Sequence, residues 1–195
     1  MMRRWLVAAL AVLTTGCGYN TIQTLDERAQ AFQGQIEVQM QRRADLIPNL
    51  VKTVQGYAQH EELVLTSVSQ ARAGLLGAVK SGDPEQMANA NAQLTGALGR
   101  LFAVVENYPN LKADQSFRAL QDELVGTENR VAVARGDYNG SVNEYNAYIR
   151  RFPAVLTAKV IGSKGRKYFT AAPGSAEVPK VDFGKPAAAA GAKAP

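Results

Sequence analysis

The chain has 195 residues, of which 46% are hydrophobic and 20% are charged, and its formal net charge is +5. This length suits one domain with a continuous core, and the single cysteine excludes a disulfide within the chain. Arg3 and Arg4 lie in a segment that we expect to be removed, so the charge falls to 5 − 2 = +3. The composition therefore does not indicate nucleic-acid binding.

Residues 1–16 have the pattern of a signal peptide. Two arginines precede an apolar run from Trp5 to Leu13, and the small residues Thr15 and Gly16 follow it. A membrane-spanning helix needs about 20 apolar residues, and this run is shorter. We therefore predict export from the cytoplasm and removal of residues 1–16.

Cys17 follows directly after the small residues. This arrangement looks like the lipobox of bacterial lipoproteins, although Thr14 stands where that pattern usually has leucine. Lipid attachment at Cys17 would explain an unpaired cysteine in an exported protein. The alternative is an ordinary signal peptide whose removal leaves a free thiol.

From residue 22 to residue 152 the apolar residues recur three and four positions apart. This period places them on one face of a helix and predicts an all-α fold, an antiparallel bundle of about four long helices with coiled-coil-like packing. The stripe of the first helix is Ile22, Leu25, Ala29, Phe32, Ile36 and Met40; that of the second is Leu50, Val54, Tyr57, Val64, Val68, Ala71 and Leu75. The third carries Met87, Leu94, Leu98, Leu101, Val105 and Tyr108, and the fourth carries Phe117, Leu120, Leu124, Val131, Tyr138, Val142, Tyr145, Ile149 and Phe152.

Helix boundaries are indicated by prolines and capping residues. Asp83 followed by Pro84 is a typical helix start, Pro109 predicts the end of the third helix, and Pro153 that of the fourth. Pro48 lies between the first two stripes. In a straight helix its ring would clash with the carbonyl of Ala44 and remove one hydrogen bond, so we predict that the first two helices join at a kink near Pro48.

The C-terminal residues 173–195 contain four of the eight prolines and little apolar periodicity. They predict a solvated, disordered tail, which leaves residues 17–172 as the helical domain. The preceding segment GSKGRKYF is basic but lacks the spacing of a phosphate-binding loop, so it is interpreted as a turn with solvated charges.

Several charged residues fall on the apolar stripes. Because an unpaired buried charge is costly, we predict a structural network in which Glu61 and Glu128 meet Arg135 and either Arg42 or Arg43. The competing interpretation joins His60 to the two glutamates as an acid/base or metal site. The chain has one histidine and nearby arginines would repel a cation, so we predict no catalytic residue, no metal and no cofactor.

Five stretches resemble the LemA family of bacterial proteins. These are Tyr19-Asn20, QRRADLIPNLV from Gln41, YAQHE from Tyr57, ENYPNLKA from Glu106 and TENRVAVARGDYNGSVNEYN from Thr127. The resemblance implies an all-helical antiparallel bundle tethered at its N-terminus outside the cytoplasm. No enzymatic activity is established for the family, which includes a magnetosome-membrane protein, and its genes often neighbour those of membrane metalloproteases or other envelope proteins.

The expected function is therefore that of a non-enzymatic scaffold or adaptor of the cell envelope. We expect a membrane anchor at Cys17, on the periplasmic face of the outer membrane in a Gram-negative host, and an envelope protein as partner, with a membrane protease as one candidate. Self-association is compatible with the surface stripes. The alternative is a binding module that holds a lipid, peptide or cell-wall fragment in a cleft of the bundle.

Overall fold

A computed structural model of the protein describes residues 2–58 and 60–170, with side chains from residue 18 onward. Its helices are α1 (Met2–Gln55), α2 (Glu62–Ser81), α3 (Pro84–Val105), α4 (Pro109–Ala113), α5 (Gln115–Tyr148) and α6 (Ala154–Val160). No strand occurs in these ranges. The four long helices confirm the all-α bundle that the apolar period predicts.

One main core joins the four long helices. α1 packs against α5, α2 and α6, and α2 pairs with α3. Fully buried side chains from each long helix fill this core: Ile36, Met40, Ile47, Leu50, Leu75, Met87, Leu94, Leu101, Phe117 and Tyr138. A second, smaller cluster of Ile22, Tyr145, Ile149 and Ala158 lies where α6 meets α1 and α5.

Two helix starts are stabilised by aspartate side chains. Asp83 accepts hydrogen bonds from the backbone amides of Glu85 and Gln86, and Pro84 occupies the first turn of α3. Asp114 accepts one from the amide of Phe117 and caps α5. These caps satisfy amides that have no partner inside the helix. The start predicted at Asp83 and the stop predicted before Pro109 are both confirmed.

The junction predicted near Pro48 is wrong. α1 continues through Pro48 to Gln55, and the connection to α2 instead lies between residues 56 and 61. The helix tolerates the proline because the Arg72 Nε donates a hydrogen bond to the Ala44 carbonyl at 2.8 Å. This is the carbonyl that a residue with an amide at position 48 would satisfy.

The end of the fourth helix also differs from the prediction. α5 ends at Tyr148, and a turn leads into the short helix α6, which sequence reasoning missed. Phe152, predicted on the buried stripe, is 81% exposed because it lies in this turn. Gly140 lies inside α5.

Three sequence predictions fall outside the residues described with side chains. They are the signal peptide of residues 1–16, lipid attachment at Cys17, and the tail of residues 173–195. These stay predictions. Within the described ranges, no helix combines the length and the apolar character that crossing a membrane requires.

Candidate functional site

A buried polar cluster connects three helices near the middle of the bundle. Arg43 of α1 is 3% exposed, and its Nη1 donates to the Asn91 Oδ1 of α3 at 2.6 Å. The same nitrogen pairs with the Glu128 Oε2 of α5. The Asn91 Nδ2 donates to both oxygens of Glu128 at 3.3 Å. Each of the three side chains therefore holds the other two in position.

Burial dominates the electrostatics of this cluster. Burial lowers the pKa of Arg43, and the attraction and hydrogen bond of Glu128 oppose that effect. The Arg43 Nε is buried without a hydrogen-bond partner. Because a buried guanidinium without a counter-charge is strongly unfavourable, Glu128 and Arg43 depend on each other. This geometry suits a structural cluster that fixes the register of α1 against α3 and α5.

A small cleft lies beside the cluster, between α3 and α5. It has a volume of about 240 Å³, and Arg43 and Glu128 contribute to its wall. The apolar part of the wall consists of Leu98, Phe102, Leu124 and Val125. Ligand pockets commonly measure about 300–1,000 Å³, so this cleft accommodates only a small molecule.

The other predicted members of the network lie apart from the cluster. Arg42 is on the surface and pairs with Glu123 at 3.2 Å. Glu61 accepts a hydrogen bond from the Tyr108 hydroxyl at 2.9 Å, which raises the pKa of Tyr108. The single network predicted from the sequence is thus divided: Arg42 lies about 100° around α1 from Arg43, and Glu61 precedes the start of α2.

Arg135 and His60 have different surroundings again. The Arg135 guanidinium lies over the Phe169 ring, 4.9 Å from its centre, in a cation–π contact. His60 is exposed. The part of the chain that the structure describes contains no group of three histidine, cysteine or acidic side chains placed to hold a metal ion. His60, Glu61 and Glu128 therefore do not form one site. Glu128 binds Arg43 and Asn91, whereas Glu61 binds the Tyr108 hydroxyl.

The basic segment of residues 163–170 forms an ordered strap along α5. The Asn146 amide binds the backbone of Arg166 in both directions, donating at 2.9 Å and accepting at 2.8 Å. The Asn139 amide does the same with Phe169, at 3.0 and 2.8 Å. We predicted a turn with solvated charges here, so the ordered strap is a correction.

The strap is matched to the helix by length. Seven residues of helix rise about 10.5 Å, and three residues of extended chain span about 10 Å. Two asparagines seven positions apart on α5 can therefore bind two backbone sites three positions apart on the strap. That spacing of Asn139 and Asn146 is the sequence signal that could have indicated the strap.

Two ion pairs connect the strap to other helices. Arg166 forms a two-point pair with Asp26 of α1, at 2.7 and 3.0 Å, which raises the pKa of Arg166. Lys167 pairs with Asp83 at 3.0 Å and lowers the pKa of that carboxyl. The strap thus connects α5 with α1 and with the start of α3.

The outer face between α1 and α5 carries an open groove of about 660 Å³. Val38 of α1 and Val133 of α5 are 62% and 66% exposed there. The remaining wall combines small residues with a polar rim: Ala31, Gly34, Gln35, Gln39, Asn129, Arg130, Ala134 and Asp137. The Arg130 Nε donates to Gln39 at 3.1 Å, so the rim is ordered across both helices. We call this feature the α1–α5 groove.

These features define a helical bundle with a structural polar cluster and a candidate contact surface. A family model described as LemA family matches residues 32–183, which is most of the chain. The chain belongs to the LemA family.

Three curated relatives are magnetosome proteins. MamQ 2 and MamQ 1 of Paramagnetospirillum magneticum are each 32% identical over 178 residues, covering 80% of this chain and 65% of theirs. MamQ of Magnetospirillum gryphiswaldense is 31% identical over 174 residues, covering 77% of this chain and 64% of its own. The chain thus spans slightly less than two thirds of the length of these relatives. The names of these relatives do not describe an enzymatic activity.

Proposed function

We propose that this protein is a membrane-tethered, non-enzymatic scaffold that binds a partner protein of the cell envelope through the α1–α5 groove. The observation that carries the proposal is the pair of exposed valines, Val38 and Val133, on two helices that are rigidly packed together. Exposed apolar side chains with a polar rim are typical of protein contact sites.

The shape of the groove favours a helix as the bound element. Gly34, Ala31 and Ala134 keep its floor low, so a third helix can approach α1 and α5 closely. The side chains of Gln39, Arg130 and Asp137 supply polar contacts at the edge. A helix that places apolar residues at intervals of three and four would match the two valines.

A tether at the N-terminus is the second part of the proposal. The lipobox-like Cys17 supports it, since removal of residues 1–16 would leave Cys17 as the first residue of α1, and a lipid there would attach α1 to a membrane. The magnetosome proteins to which the chain is similar also favour a place at a membrane. A long, stiff α1 would then hold the α1–α5 groove at a fixed distance from the lipid.

The test is site-specific photocrosslinking in intact cells. A photoreactive amino acid replaces Val133 in the groove or, as a control, Leu63, which is 88% exposed on α2. Both proteins are compared with Cys17→Ala versions, and membrane attachment is followed by fractionation and fatty-acid labelling. We expect one envelope protein to be crosslinked from position 133, not from position 63, and to be lost with the anchor.

Three outcomes would contradict parts of this proposal. Crosslinks only to further copies of the chain would replace the scaffold by a self-assembling structural role. Equal crosslinking from positions 133 and 63 would show that the groove has no specific partner. A Cys17→Ala protein that remains at the membrane without labelling would refute the lipid anchor alone.

A second candidate function is the binding of a small ligand in the cleft between α3 and α5. The observation that favours it is the partly exposed Glu128 beside an apolar wall that includes Phe102 and Leu124. Filling the cleft by Val125→Trp, at a wall residue that is 53% exposed, would then abolish ligand binding while leaving groove crosslinking intact. Native mass spectrometry of the protein from its own host, before and after this substitution, tests the candidate.

A further inference from the structure

The end of the bundle next to Gly18 carries an unusual apolar face. Phe152, Leu156 and Val160 follow each other at intervals of four residues, and they are 81%, 50% and 84% exposed. Ile161 extends the same region and is also exposed. No other described helix covers these side chains. We call this surface the α6 face.

Unpaired positive charges flank the α6 face along the chain. Arg150, Arg151, Lys159 and Lys164 are exposed, and none of them forms an ion pair among the described residues. From Ile149 to Phe169 the sequence contains no acidic residue. The nearby cations Arg166 and Lys167 are already paired with aspartates. An approaching partner therefore meets apolar side chains within a positively charged border.

The α6 face also lies beside the predicted anchor. A side chain added at Gly18 would contact Ala154 and Thr157 of α6, with nearest distances of 3.5 to 3.7 Å. Gly18 is adjacent to Cys17, so a lipid on that cysteine would bring the α6 face to the membrane surface. The small cluster of Ile22, Tyr145, Ile149 and Ala158 fixes α6 on the bundle, so the face has a defined orientation.

We propose that the α6 face binds the surface of an anionic lipid membrane. Phe152, Leu156 and Val160 enter the boundary between headgroups and acyl chains, while the arginines and lysines contact lipid phosphates. This second contact point, together with the N-terminal tether, sets the orientation of the bundle on the membrane. The inference rests on the proposed membrane tether for its geometry, but its charge and apolar exposure belong to the described residues alone.

The experiment uses the full chain purified from cell membranes and reconstituted into vesicles. An environment-sensitive fluorescent amino acid is placed at Val160 or, as a matched control, at the exposed Val133 of the α1–α5 groove. The vesicles contain phosphatidylcholine alone or an equal mixture with phosphatidylglycerol, and some carry nitroxide-labelled lipid. We expect emission at position 160 to shift to shorter wavelength and its quenching by nitroxide to exceed that at position 133 several-fold.

Charge gives a second, independent readout. The shift and the quenching should decrease in phosphatidylcholine alone, at high salt and in a Lys159→Glu/Lys164→Glu variant. Both lysines are exposed and unpaired, so this variant should unfold at the same temperature as the parent chain.

Flotation of the vesicles distinguishes attachment through the tether from binding through the α6 face. Protein that floats while position 160 behaves like position 133 overturns this inference and leaves the tether intact. Protein that does not float, with position 160 unquenched, overturns both. Lipid quenching that persists in Cys17→Ser establishes the α6 face without the lipid anchor. A shifted emission at position 160 that lipid nitroxides do not quench would show that another copy of the chain covers the face, and it would overturn membrane binding.

Discussion

The Arg72 Nε of α2 donates a hydrogen bond to the Ala44 carbonyl of α1 at 2.8 Å. Ala44 precedes Pro48 by four residues, so its carbonyl has no helical amide partner. An arginine from a neighbouring helix thus replaces the bond that the proline removes. The contact satisfies the carbonyl that Pro48 leaves without its usual amide, and it also joins α2 to α1.

Arg72→Met should destabilise the protein by about 1.5 kcal/mol, because a partly buried carbonyl loses a charge-assisted hydrogen bond. In a Pro48→Ala background the new amide at position 48 can satisfy the Ala44 carbonyl. The same Arg72→Met change should then cost below about 0.5 kcal/mol. Urea unfolding of the four proteins measures the difference.

Arg118→Met is the matched control for this cycle, since Arg118 is exposed at the start of α5 and its side chain forms no hydrogen bond or ion pair with the described residues. It should leave stability nearly unchanged in both backgrounds. An equal cost of Arg72→Met with proline and with alanine at position 48 would refute the role assigned to Arg72.

Glu128→Met should be among the most damaging single changes, at about 3 kcal/mol, because it leaves the buried Arg43 guanidinium without its counter-charge. The double variant Arg43→Met/Glu128→Met removes both charges and should be more stable than Glu128→Met alone. Thermal and urea unfolding provide the comparison. A double variant that is less stable than either single variant would contradict the dependence of Glu128 and Arg43 on each other.

Asn139→Ala and Asn146→Ala should each release the strap locally, with a loss of about 2 kcal/mol from two hydrogen bonds. Hydrogen exchange measures this at the amides of Phe169 and Arg166, which donate to these two side chains. Asn143→Ala serves as the control, since the one side-chain hydrogen bond of Asn143 to the described residues is a long one, accepted from the Tyr168 hydroxyl at 3.5 Å. Unchanged exchange at both amides would show that the asparagines do not hold the strap.

The Asp83–Lys167 pair makes a pH-dependent contribution to stability. Hydrogen bonds from Lys167 and from the amides at the start of α3 lower the pKa of Asp83 below its ordinary value of 3.8. A carboxyl with a lowered pKa stabilises the folded state above its unfolded pKa, and this contribution is lost as the pH falls through the folded pKa. Stability should therefore decrease below a pH of about 4.

Asp83→Asn should make this acid-side decrease shallower, since asparagine still caps α3 but does not titrate. Unfolding measured between neutral and strongly acidic pH tests the expectation. Glu27→Gln provides the control, since Glu27 is exposed on α1 and its side chain forms no hydrogen bond or ion pair with the described residues. If Asp83→Asn and the parent chain lose stability in parallel on acidification, the pair has no role in it.

The long helices follow from local information in the sequence. The apolar period of three and four residues identifies which face of each helix is buried, because burial of that face stabilises the helix. The capping by Asp83 and the stop before Pro109 are also local, since they depend on amides within one turn. The charges of Arg43 and Glu128 on apolar stripes were sufficient to indicate a buried polar contact.

The sequence alone determined the helical class, the buried faces and the helix start at Asp83, because each depends on residues within a few turns of one another. Only the tertiary structure decided that α1 passes through Pro48, since the compensating donor Arg72 comes from another helix. It also decided which charged residues meet, and that the basic segment after α6 lies along Asn139 and Asn146. Those outcomes depend on the rotation and offset between packed helices, which no local pattern specifies.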